Sequence, residues 1–248
     1  MIETPEFIKK IKAKLLIKDE FQKLDYLSDE LKAGKASETD KSYWDESLSQ
    51  ISEYLPYVPE YQDKFELYKN RKVLVEHQAR VRALKGYNGG VLVAGSLKGL
   101  FDTLRIQRKK HEKKNDVVVV MGDWMAFEGD LSSIHKAMEL MEEGVIFLRG
   151  RTEEMFLQLA AEETPEVFFI STLPMDIQTP NFIVSTGTSL DELMPINHVT
   201  NTDKPNLTGK TIIAIQPEEG KPTAHLKNKE MVLLAPGDAL RLELKDRK

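Results

Sequence analysis

Asp123 follows closely on the run Val117-Val118-Val119-Val120, within the stretch VVVVMGDWMAFEGD. An apolar run that ends in Gly-Asp and opens onto an acidic loop is a common way to aim a carboxylate at a metal or a phosphate. Glu128 and Asp130 share that loop and could add oxygen ligands for one weakly held cation. The simpler role for Asp130 is to cap the helix that follows. Similar junctions occur at GSLKG (95–99), after VLVA, and at RGRTEE (149–154), after VIFL. They bring Ser96, Lys98, Arg149, Arg151, Thr152 and Glu153 to the ends of apolar runs. The five histidines, His77, His111, His135, His198 and His225, form no metal-ligand pattern with these loops. No Ser-His-Asp arrangement is readable. GSLKG lacks the spacing of a phosphate-binding P-loop. The chain has no cysteine, which excludes disulfides, thiolate metal sites and thiol nucleophiles together.

The elements that must hold these residues fall into two unlike regions. Residues 1–85 read as helical: Ile8, Ile11 and Leu15, then Leu24, Leu27 and Leu31, then Leu48, Ile51 and Leu55 repeat at helical spacing. A longer helix is expected over 59–84, with Tyr61, Phe65, Tyr68, Val75 and Ala79 on one face. Such stripes must bury, in a bundle or against a partner. After KGYNGG (85–90), short β-branched runs appear at 91–94, 117–120, 145–148, 182–184 and 211–215. Helical stretches at about 99–112, 131–143 and 153–162 separate the early ones. MVLLAPGDALRLEL reads as two strands joined by a Pro-Gly-Asp turn, with antiparallel pairing near the C-terminal end. The expected organisation is an all-α region over 1–85 and an α/β domain over 86–248. In such a domain the loops at the carboxyl ends of the strands, including 185–189 and 216–220, form one rim.

At this rim the residues carry a family likeness. VVVVMGDW followed by VIFLRGRTEEMF resembles the calcineurin-like metallophosphoesterases, particularly their phosphoprotein-phosphatase and diadenosine-tetraphosphatase branch. Members read GDIHG, GDYVDRG and LRGNHE after successive strands, then a strand ending in HAG and a later GHTP. Here GSLKGLFDTL, GDWMAFEGD, LRGRTEEMF, FIVSTG and IIAIQP take those places, over roughly residues 91–244. The resemblance implies a metallophosphatase-like β-sandwich flanked by helices. It also implies two metal ions about 3.5–4 Å apart, held by Asp, His and Asn from several strand ends.

Position by position, the implied ligands are mostly gone. The first-block Asp is Ser96 and its His is Lys98; the second-block Asp is kept as Asp123. The third-block Asn is Arg151 and the catalytic His is Thr152. The later histidines fall at Ser185 and near Ile215. The phosphate-contacting Arg of the second block is Phe127, while the Arg of LRG stays as Arg149. Ammonium and guanidinium groups offer a metal no lone pair and repel a dication, so Lys98 and Arg151 argue against metal more strongly than alanines would. No metal or other cofactor is expected, and no catalytic residue.

Two readings of the cations follow. Either they bind a phosphate-containing ligand without cleaving it, or they neutralise the rim internally, Lys98 with Asp123 and an arginine with Glu153 or Glu128. The second is favoured. The expected function is a pseudophosphatase, a protein-binding, structural or regulatory module; residual phosphoesterase activity and ligand sensing are the alternatives. A net charge of −5 argues against general nucleic-acid binding, and no apolar run is long enough to span a bilayer. A cytoplasmic location is the default. Surface features that could meet a partner are the basic run 105–114, the acidic stretch 142–146, Trp44 and Trp124, the last of which could equally line the pocket.

Overall fold

The computed structural model describes residues 6–127, 129–186, 211–215, 231–234 and 236–243. The chain divides into two compact units, the first ending at Ala79 and the second beginning at Arg80.

The first unit is helical. It contains α1 (Glu6–Lys32), α2 (Glu38–Tyr54) and most of α3 (Gln62–Ala83), with short 3-10 turns at Leu55–Tyr57 and Pro59–Tyr61. A capping box starts α2: the Ser37 hydroxyl accepts from the Asp40 amide while the Asp40 carboxylate accepts from the Ser37 amide. Ile17, Phe21, Leu24 and Leu31 of α1 are buried, as are Trp44 and Ile51 of α2 and Tyr68 and Val75 of α3. Phe21 and Trp44 pack on the Tyr68 ring at 5.6 and 5.9 Å. Trp44 donates its indole N–H to the Tyr68 carbonyl at 3.2 Å. It is a core residue, not a surface anchor. The expected burial of the first stripe fails: Ile8, Ile11 and Leu15 are exposed, and α1 packs through a different face that begins at Ala13.

The second unit is mixed α/β. One sheet runs in the order β3-β2-β1-β8, from β1 (Gly90–Ala94), β2 (Val117–Val120), β3 (Ile146–Phe147) and β8 (Ala239–Glu243). The other runs β4-β5-β6-β7, from β4 (Asp176–Gln178), β5 (Phe182–Ser185), β6 (Thr211–Ile215) and β7 (Met231–Leu234). The helices are α4 (Phe101–His111), α5 (Leu131–Glu142), α6 (Arg151–Leu159) and α7 (Pro165–Thr172). Among the described residues no helix is long and apolar enough to cross a membrane.

The β-branched runs form strands because both faces of the first sheet are buried. Val91, Val93, Val119, Ile146 and Leu148 share one apolar cluster with Ile177, Val184, Ile213 and Leu234 of the second sheet. Leu92, Ala94, Val120 and Phe147 point to the opposite face and are also buried. There α4 packs on β1 and β8, and α5 on β3. Phe147 lies 5.6 Å from the Trp124 ring and 6.5 Å from Phe101.

The two strands of MVLLAPGDALRLEL do not pair with each other. β7 pairs parallel with β6, and β8 crosses to the other sheet to pair antiparallel with β1. A bidentate ion pair anchors this edge: Arg241 Nε reaches Asp116 Oδ2 at 2.6 Å and its Nη2 reaches Oδ1 at 2.9 Å. The basic run after Arg105 is also partly answered inside the unit, since Arg108 binds Glu112 at 2.7 Å and Glu143 at 3.0 Å.

The hydrogen bond from Arg241 holds the Asp116 carboxyl below the usual carboxylate range. A carboxyl with a lower pKa folded than unfolded stabilises the fold above its unfolded value and loses that contribution as pH falls through the folded value. With the Asp116 side chain 2% exposed and that of Arg241 18%, Asp116→Ala should lower stability by about 2 kcal/mol at neutral pH, discounted for the partly solvated arginine. Urea titrations should show the gap to wild type intact at neutral pH and shrinking once pH drops below 3.8. An unchanged gap in acid would show that packing, not charge, carries the effect.

Candidate functional site

The rim of the first sheet is built by three loops: after β1 (Ser96 to Leu100), after β2 (Gly122 to Asp130) and after β3 (Arg149 and Gly150, leading into α6). The second and third loops cross backbone to backbone. A Cβ on Gly122 would lie 2.2 Å from the Gly150 Cα, and one on Gly150 would lie 2.5 Å from the Asp123 nitrogen. Only glycine fits at either position.

That close crossing brings one carboxylate within reach of four amides. Glu153 is fully buried. Its Oε2 accepts from Asp123 N and Gly150 N, both at 2.8 Å, and its Oε1 from Trp124 N at 3.0 Å and Met125 N at 3.1 Å. Glu153 is thus the third residue of α6 reaching back to its N-cap amide, the half of a capping box that a glycine N-cap allows. Burial pushes its carboxyl up to about 7, against the pull of the Met125, Asp123 and Gly150 amides. Only the ionised form can satisfy all four N–H groups at once.

Asp123 is half-buried and left-handed, with φ +59°, an unfavourable backbone for a residue with a side chain. It is held on every side. Its Oδ1 accepts from Thr152 N at 2.8 Å, and its carbonyl accepts from Ser96 Oγ at 2.6 Å and Lys98 N at 3.0 Å. Lys98 is also left-handed, φ +45°, and its side chain is exposed. Lys98 meets Asp123 through its backbone amide. Ser96 is buried, its hydroxyl committed to the loop.

Arg149 does not pair with Glu153. It forms an ion pair with Glu154 at 2.5 Å, out of line for a hydrogen bond, and Nη1 donates to the Ser171 carbonyl at 3.0 Å. Its amide donates to Pro174 O at 2.8 Å, so Arg149 ties the third loop to the end of α7. Arg151 is exposed in the first turn of α6. Ser185 is buried in the second sheet, in register with Asp176 and Ala214. Asp130 caps α5, accepting from the Ser133 amide at 3.2 Å. Trp124 is fully buried, donates to Leu148 O at 3.0 Å and packs on Phe147 and Phe169. It is a core residue of the second unit. Glu128, the loops expected at 187–189 and 216–220, His198 and His225 lie outside the described residues, and of Ile215 only its place at the end of β6 is described.

The structure thus brings together Ser96, Lys98, Asp123 and Thr152, with Arg151 adjacent, while Arg149 ties the third loop to α7 and Ser185 ends β5 of the second sheet. Glu153 is the residue that sequence reasoning misassigned. The signal for it was present in the Gly-x-x-Glu spacing at a helix start. A dinuclear metal site does not fit these groups. Asp123 Oδ1 faces a backbone N–H, Lys98 and Arg151 offer no lone pair to a metal, and among the described residues no group of three His, Asp or Glu could hold an ion. A simple anion fares little better at α6, because Asp123 and Glu153 already occupy the Thr152 and Gly150 amides. Two surface cavities among the described residues lie away from the rim: one of about 340 Å³ between α4 and α5, lined by Arg105, Arg108 and Lys136 among others, and one of about 890 Å³ between α1 and α2.

No protein-family model matches this chain, and no curated protein does. Among solved structures it is similar to a protein designated a diadenosine tetraphosphatase, at 14% identity and TM-score 0.46, over 64% of this chain and 96% of that one. It is also similar to a protein serine/threonine phosphatase from Saccharomyces cerevisiae with similarity to human phosphatase PP5, at 11% identity and TM-score 0.33, over 68% of this chain and 64% of the other. Likeness at this level does not define the chain's family.

The two acids of the rim should respond differently to amide substitution. Glu153→Gln turns an NH2 group toward two N–H donors, and should cost about 3 kcal/mol and lower Tm by about 6–12 °C. Asp123→Asn keeps an acceptor for Thr152 and suits the left-handed backbone, so stability should change by less than about 0.5 kcal/mol. Thermal melts of both variants check this. Equal losses would mean that the Glu153 amide cluster does not organise the rim.

Proposed function

We propose that this protein is a pseudophosphatase: a degenerate metallophosphatase-like domain, its two sheets forming the family's β-sandwich, that serves as a protein-binding, structural or regulatory module in the cytoplasm. One observation carries the proposal. The rim acids that could do chemistry, Asp123 and Glu153, are turned onto backbone amides, while Lys98 and Arg151 stand where metal ligands would be needed. A phosphoryl-transfer site of this family needs lone pairs converging on two dications. Here the lone pairs converge on N–H groups of the same loops. The rim reads as a structural brace.

The test is metal analysis of protein purified after exposure to manganese and zinc, together with turnover of p-nitrophenyl phosphate. Expected are no stoichiometric metal and no turnover above that of Asp123→Asn. Stoichiometric manganese or zinc with turnover abolished by Asp123→Asn would establish a working phosphoesterase instead.

A further inference from the structure

The first turns of α1 have an unusual surface. Every residue from 6 to 12 is exposed, and burial begins only at Ala13. Phe7 is 73% exposed, Ile8 41%, Ile11 44% and Leu15 61%. At 3.6 residues per turn these four fall within an arc of about 100°, a continuous apolar stripe. Ala13, Ile17, Phe21 and Leu24, which pack the unit's core, occupy a separate face. The helix is therefore apolar on two sides, and one of them faces solvent.

Charge tells what suits the second side. Residues 7–18, FIKKIKAKLLIK, contain five lysines and no acidic residue, in a chain whose net charge is −5. All five lysines are exposed. On the helical wheel Lys12 borders the stripe on one side, Lys14 borders it on the other, and Lys18 prolongs it. Lys14 reaches Glu60 at 3.6 Å, with both side chains about half exposed, a contact too weak to cancel the cluster. Apolar residues in line, edged by lysines, are the pattern of a helix that lies in a lipid interface. Lysine stems lie along the apolar phase while their ammonium groups reach anionic headgroups. A single convex helix face meets a lipid surface without needing a matching groove, which a protein partner would have to provide.

We propose that the amino-terminal half of α1 docks on anionic membrane surfaces. Phe7, Ile8, Ile11 and Leu15 enter the headgroup–acyl boundary, and Lys12, Lys14 and Lys18 sit among the headgroups. The occupant of this face is a lipid bilayer, reached from one side and not crossed.

Co-sedimentation of the full chain with vesicles tests this, using phosphatidylcholine alone and phosphatidylcholine with about 30% phosphatidylserine. Binding is expected to the anionic vesicles only, to weaken at least about tenfold in Ile11→Asp/Leu15→Asp, and to fall steeply in about 0.5 M salt. Because both side chains are already exposed, the variant should keep the wild-type Tm, so a loss of binding cannot be put down to unfolding. A second arm offers soluble poly-glutamate. No vesicle binding, equal binding to neutral vesicles, or vesicle binding unchanged in the variant each overturns the proposal. So does capture of poly-glutamate without vesicle binding, which would point to an acidic protein. A wild-type dimer that Ile11→Asp/Leu15→Asp splits in sedimentation velocity would assign the stripe to a second copy and overturn it as well.

Discussion

A buried carboxylate without a cationic partner is among the costlier things a fold can contain, and this one is organised around such a group. Glu153 is fully enclosed, and what makes it tolerable is the convergence of four backbone amides from two loops. Those amides converge only because the second and third loops touch at Gly122 and Gly150. The same crossing sets the left-handed turn at Asp123 and aims its carboxylate at the start of α6. Trp124, the next residue, is then directed inward onto Phe147 and Phe169. Core packing, loop conformation and the fate of Asp123 thus share one electrostatic origin.

The same arrangement bears on the cations of the rim. Lys98 and Arg151 are exposed, and the carboxylates of Asp123 and Glu153 accept from backbone amides, whose dipoles favour negative charge. Arg149, by contrast, is built into the rim through Ser171 and Pro174.

How much of this could be read beforehand depended on the range of the interactions. β1 and β2 were legible because strands buried on both faces are spelled as unbroken β-branched runs. β4 was not: Asp176-Ile177-Gln178 is short and mostly polar, and it exists because β5 offers an edge to pair with. α7 escaped notice because PEVFFIST has no polar face, although Thr164 and Pro165 mark its start. The order β7-turn-β8 was correct and the pairing wrong, since a Pro-Gly-Asp turn does not say whether its strands share a sheet. The tryptophans misled because their chain neighbours are polar, while burial is decided by residues far away in sequence. Periodicity likewise identified Ile8, Ile11 and Leu15 as one face, but it is silent on whether anything covers that face. At the rim, the glycines and Asp123 were visible as motif; the amide cluster was visible only as one half of a capping pattern.

The pairing of β8 with β1 has a consequence for how the protein comes into being. Gly90 lies opposite Glu243, so the central strand of the first sheet waits for one of the last described segments to leave the ribosome. Until then β1 has an open edge beside β2, and closing it requires a loop that spans most of the unit. High sequence separation of this kind makes the sheet slow to complete. The helical unit, made first and built from contacts closer in sequence, can be finished while the second still lacks its outer strand. Nascent chains truncated before residue 239 would carry an exposed, strongly β-forming edge, the state in which a protein most needs a chaperone.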